Sequence, residues 1–65
     1  MNDFINLRKK LGYGRHKVAK MSGLSYGTIF NIEHDLHDVG HKKIAQLQHF
    51  YNDELIKRQK NEADN

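Results

Sequence analysis

Six lysines and arginines, Arg8, Lys9, Lys10, Arg15, Lys17 and Lys20, stand between Phe4 and Ile32 with no aspartate or glutamate among them. That stretch therefore carries a formal +6, whereas the whole 65-residue chain carries only +3, because Glu33, Asp35, Asp38 and further acids follow. A positive field of this kind suits a polyanion, above all a nucleic-acid backbone, where each phosphate contact releases condensed counterions. A merely solvated basic face is the plainer alternative. The same stretch holds side chains able to meet base edges. The Asn31 carboxamide can pair with N6 and N7 of adenine, and Tyr26 offers either a hydroxyl or an apolar edge to a thymine methyl.

Two other chemistries are weaker. Among the five histidines, His34, His37 and His41 lie close to Asp35 and Asp38, which raises the question of a metal. Zinc wants ligands held on firm elements, whereas these fall across a segment containing Gly40, and the chain has no cysteine to add a thiolate. No metal site is expected. The expected effect of these histidines is instead a modest gain in polyanion affinity at mildly acidic pH, where they become cationic. For catalysis the chain offers no glycine-rich phosphate loop and no nucleophile motif, and 65 residues are too few to enclose a conventional substrate pocket. The reading is a non-enzyme, with neither a cofactor nor a small-molecule ligand.

The elements that must position these residues are helical. With 37% hydrophobic residues, no proline and no cysteine, the composition fits one small all-α domain stabilised by packing. Phe4, Leu7 and Leu11 share a face of a first helix from about Asp3 to Leu11, with Asn2 or Asp3 as its cap and Gly12 as its stop. A second helix is expected from Arg15 to about Met21, with Val18 and Ala19 inward. Ser22 and Gly23 then make a tight turn, because glycine tolerates the left-handed backbone conformation such a turn needs. Leu24 plugs the turn. Ser25 caps a third helix from Tyr26 to about His34, with Ile29 and Ile32 buried. At 100° per residue, Gly27, Phe30, Asn31 and His34 then fall furthest from the buried side, with Tyr26 at the exposed N-terminal end. After a loop from Asp35 to Gly40, Ile44, Leu47 and Phe50 or Tyr51 mark a fourth helix from about His41 to Tyr51. Asn52 or Asp53 is placed to cap a short fifth helix carrying Leu55 and Ile56. The fold expected is thus a compact bundle of four to five short helices over residues 1–58, with 59–65 a polar, frayed tail.

The stretch from Arg15 to Glu33 resembles the Cro/cI-type, lambda-repressor-like helix-turn-helix family. That family's usual pattern is polar-x-x-Leu-Ala-x-x-x-Gly-Val-Ser-x-x-x-Ile-x-x-Ile-Glu. Val18, Ala19, Gly23, Leu24, Ser25, Ile29, Ile32 and Glu33 fall on pattern positions without a gap. Leu7, Arg8 and Gly12 also match the family's first-helix Leu-Arg pair and the following glycine, so the likeness covers roughly residues 4 to 51. The resemblance implies that the positions of Tyr26, Gly27 and Asn31 touch bases, and that Arg8 and Glu33 pair as a salt bridge. Phe30 joins the base-facing set as a further outward side chain, with packing against neighbouring helices or a dimer partner as its alternative. Gly27 departs from the polar residue usual at its position and is read as allowing close approach.

Backbone phosphates fall to Arg15 at the start of the second helix, to Lys17, Ser25 and Thr28, and to His41, Lys42 and Lys43 at the start of the fourth. For each lysine ordinary solvation competes with a contact. The expected role is a homodimeric transcriptional repressor, of phage or plasmid type, that binds a palindromic operator through the major groove of double-stranded DNA. Its dimer surface would use Phe50, Tyr51, Leu55 and Ile56. The rival is a protein-interaction module on the same fold, such as an antirepressor or an antitoxin-like partner. No membrane span is expected, and the bacterial or phage-infected cytoplasm is the expected compartment.

Overall fold

The structure, a computed structural model, describes residues 3–36 and 38–63, with side chains described through residue 60. All regular structure among them is helical: α1 (Phe4–Leu11), α2 (Arg15–Ser22), α3 (Tyr26–Glu33) and α4 (His41–Ala63). None of these helices is long and apolar enough to cross a membrane.

Glycines punctuate the first half of the chain. At Gly12 the backbone turns left-handed, with φ 76°, and the amides of Gly12 and Tyr13 donate back to the carbonyls of Lys9 and Arg8 at 3.0 and 3.1 Å. This double return satisfies the carbonyls that the end of α1 leaves open. Gly23 ends α2 in the same region, φ 79°, where a side chain would be strained. A Cβ there would also stand 3.3 Å from Gln46 Nε2, which donates to the Ser22 carbonyl and ties α4 to the turn. Ser25 caps α3 as expected, its Oγ accepting from the Thr28 amide at 3.1 Å. The expected cap of α1 is different: Asp3 sits at the cap position, but its carboxylate accepts from the Asn6 side chain and not from a backbone amide. Asn2, the other candidate, lies outside the described residues.

The larger departure is α4. The expected break at Asn52 or Asp53 is missing, and one 23-residue helix replaces the predicted fourth and fifth. Asn52 Oδ1 accepts from Gln48 Nε2 one turn earlier at 3.0 Å, and no glycine or proline interrupts the run. Neither residue therefore starts a new helix. The segment from Gln59, expected as tail, is helical to Ala63, and residues 64 and 65 lie outside the described set.

The core consists of Phe4, Leu11, Val18, Leu24, Ile29, Ile32, Leu47 and Tyr51, one or two from each helix and Leu24 from the turn. Phe4 stacks on Tyr51 with ring centroids 5.9 Å apart. Tyr51 is fully buried, and Phe50 and Leu55 pack against the core, so of the four residues expected at a dimer surface only Ile56, 51% exposed, stands clear. Ile44, which helped mark this helix in the sequence, lies within α4 and is exposed. The second half of α4 is tied to the α1–α2 turn by polar contacts: Tyr13 Oη donates to Glu54 Oε1 at 2.7 Å, and Arg58 donates to the Leu11 carbonyl.

Candidate functional site

Burial of Ile29 and Ile32 fixes the rotation of α3 and leaves Tyr26, Gly27, Phe30 and His34 on its outer side. Tyr26 is 39% and Phe30 37% exposed. Gly27 is helical, its backbone does not require glycine, and a Cβ there would meet nothing within 4 Å. Asn31 takes a different place. It is half-buried and lines an open groove with Phe4, Ile32, Asp35, Asp38, Val39 and Ile44, at the flank of the outer face and towards the acidic loop.

Behind this face lies a buried junction of three charges. The Glu33 carboxylate, its side chain fully covered, accepts from Arg8 Nε at 2.6 Å and Arg8 Nη2 at 3.3 Å, the pair that the resemblance implied. It also accepts from Arg15 Nε at 2.7 Å. Arg8 is fixed in turn by donation to the Tyr13 carbonyl at 3.1 Å. Burial pushes the Glu33 carboxyl up, but the hydrogen bonds from the two arginines together outweigh it and hold the group below its ordinary value. The bond to Glu33, followed by that to the Tyr26 hydroxyl, raises Arg15 above its already high value. Three groups sum to +1. No other carboxylate belongs to α2 or α3, so their joint surface exposes no acidic side chain.

Arg15 reaches this junction across the outer face of α3. Its Nη1 donates to Tyr26 Oη at 3.3 Å, its Nη2 lies 3.5 Å from His34 Nε2, and its guanidinium stands 5.2 Å from the Phe30 ring centre and 5.9 Å from that of Tyr26. Imidazoles complete the layer. His16 packs on Tyr26 with centroids 4.6 Å apart, and His34 on Phe30 at 4.3 Å. A guanidinium, two imidazoles and two aromatic rings thus form one exposed, acid-free surface, in which cation–π contacts hold Arg15 in place.

The structure brings Tyr26, Gly27, Phe30 and Arg15 together on this surface and sets other candidates elsewhere. Lys17, two residues along α2 from Arg15, places its Nζ 4.7 Å from the Tyr13 ring, which also carries Arg58 at 5.6 Å. It belongs to the corner between the α1–α2 turn and α4. Ser25 Oγ donates to Thr28 Oγ1 at 2.8 Å, so the two hydroxyls are engaged with each other at the start of α3. His41, Lys42 and Lys43 form the exposed first turn of α4. Of the histidines weighed for a metal, His37 lies outside the described residues; among the described ones no group of three His, Asp or Glu side chains could hold an ion.

Sequence reasoning did not single out His16, nor the second arginine on Glu33. Helical spacing gives the face of a side chain but not which neighbour on another helix it reaches, and both contacts depend on how α2 crosses α3. Tyr13, Glu54 and Arg58 were missed for the same reason. Their partners lie 41 and 47 residues apart along the chain. No family model, curated protein or solved structure matches this chain.

Proposed function

We propose that this protein is a sequence-specific DNA-binding transcriptional regulator that lays α3 in the major groove and acts as a repressor on a palindromic operator as a homodimer. The observation that carries the reading is the outer face of α3: exposed, backed by Arg15, and free of exposed carboxylates, with Glu33 buried between two arginines. A major groove accepts one α-helix, and the outward residues near its N-terminus are those that meet base edges. Tyr26, Gly27 and Phe30 take that place, with Asn31 at the flank. Ser25, Thr28, Lys17 and the first turn of α4, His41, Lys42 and Lys43, are the contacts for the phosphates on either side. Arg15 adds positive charge to the face while bracing its rings. The function is binding, without catalysis or a small-molecule ligand, in the cytoplasm.

Selection of bound duplexes from a random pool tests this directly. A two-fold symmetric consensus with half-sites about 34 Å apart supports both DNA reading and the dimer. Binding should weaken by on the order of a thousandfold between about 50 and 200 mM salt for about six phosphate contacts. An unselective pool with no salt dependence would instead favour the protein-interaction module, for which the exposed Tyr26 and Phe30 rings would be the contact surface.

A further inference from the structure

The middle of the α3 outer face carries no hydrogen-bonding group. Tyr26 is occupied: its ring is covered on one side by His16, and its hydroxyl accepts from Arg15. Asn31 is half-buried in its groove. Between them lie the bare backbone of Gly27 and, one turn on, the Phe30 ring, which touches both the Arg15 guanidinium and the His34 imidazole and remains 37% exposed. Gly27 is the second residue of α3, where glycine is less favourable than alanine. Nothing inside the fold explains it at 27, since the backbone does not need it and a methyl there would stand in open space. That open space leaves the Gly27 backbone accessible to a partner from outside the fold.

An apolar ring beside a bare helical backbone is a poor partner for most of what a major groove displays. The N7 and O6 acceptors and the amino donors would lose water there and gain no hydrogen bond. One group loses nothing by the exchange: the 5-methyl of a pyrimidine, the only apolar feature of the groove edge. Resting on the DNA reading above, we propose that Gly27 and Phe30 form a notch that receives a pyrimidine 5-methyl group, with Gly27 admitting it to the backbone and Phe30 covering it. Thymine and 5-methylcytosine both carry that group.

The test uses the selected consensus duplex and the full chain. Each thymine is replaced in turn by deoxyuridine, which removes the methyl and leaves base pairing intact, and each cytosine by 5-methylcytosine. Affinities are compared for the unaltered protein, Phe30→Ala, Phe30→Leu and Gly27→Ala. Loss of that one thymine methyl from a single half-site should weaken the unaltered protein about four-fold, or about 0.8 kcal/mol. Phe30→Ala should bind the thymine and uracil duplexes equally, and Phe30→Leu should keep part of the difference. If no thymine responds but one cytosine gains a similar factor on methylation, the notch takes 5-methylcytosine. Gly27→Ala should raise the melting temperature by roughly 4–8 °C yet weaken the consensus duplex. A protein that selects a consensus but is indifferent to every methyl overturns the notch, as does a Gly27→Ala variant that binds as tightly as the parent. Failure to select any consensus removes the DNA reading itself, a separate result. The deoxyuridine arm needs no altered protein, so it decides the matter even where a variant fails to fold.

Discussion

Glu33 accepts three hydrogen bonds from two arginines at one buried point, and its neutralisation should be felt by both α1 and α2. Glu33→Gln is expected to cost about 3 kcal/mol, the lower end for a broken buried pair, since the Arg15 side chain remains 23% exposed and can rehydrate. Denaturant unfolding at pH 7 measures it. The folded carboxyl titrates below its ordinary 4.5, so its stabilisation is complete above about pH 4.5 and is lost as pH falls through the lower folded value. Glu33→Gln should flatten that acid limb. Tyr51 presents the opposite case: its hydroxyl is buried without a hydrogen-bond partner among the described residues, and burial, with the Glu33 charge adding to it, pushes the phenol up to about 12. Tyr51→Phe should raise stability by about 1 kcal/mol at neutral pH. It should also abolish an alkaline loss that begins above the ordinary 10 and runs through about 12. At this scale the sequence supplied only half of the Glu33 junction. The Arg8 pairing follows from a pattern match, whereas Arg15 joins through a crossing geometry that no spacing rule encodes.

Among the elements, α1, α2 and α3 were legible because each has one end with a strong local signal: Gly12 and Gly23 at positive φ and Ser25 with its cap bond. Nothing comparable marks the middle of α4. Asn52 and Asp53 read as cap residues in isolation, yet their neighbours Leu47, Tyr51 and Glu54 continue one buried stripe at spacings of four and three, and that stripe decides. A proline distinguishes the two arrangements. At the start of a separate fifth helix it would be tolerated, but within a continuous α4 Asn52→Pro removes an internal hydrogen bond and clashes with the preceding turn. The expected cost is about 3 kcal/mol or more, with a matching loss of helical circular dichroism.

Across the whole molecule, charge is partitioned by structure as well as by sequence. The acid-free stretch from Phe4 to Ile32 was plain from the start, but its formal +6 overstates what a polyanion meets, because Arg8 and Arg15 share Glu33. Under the proposed DNA reading this separates two classes of cation by salt titration. Lys42→Ala should lower the slope of log affinity against log salt by about 0.9. Arg15→Ala, by loosening Tyr26 and Phe30, should weaken the consensus more than random duplex, with a smaller change in slope. The outer face of α3 was legible as a face, since two buried isoleucines determine it; its composition as a braced aromatic layer was not. That bracing has a thermodynamic consequence. Because the Arg15 guanidinium is already fastened to a covered carboxylate and to three rings around it, association through this surface needs no local ordering. Calorimetry on an operator should therefore give a heat-capacity change no larger than the contact area requires, without the excess that marks coupled folding.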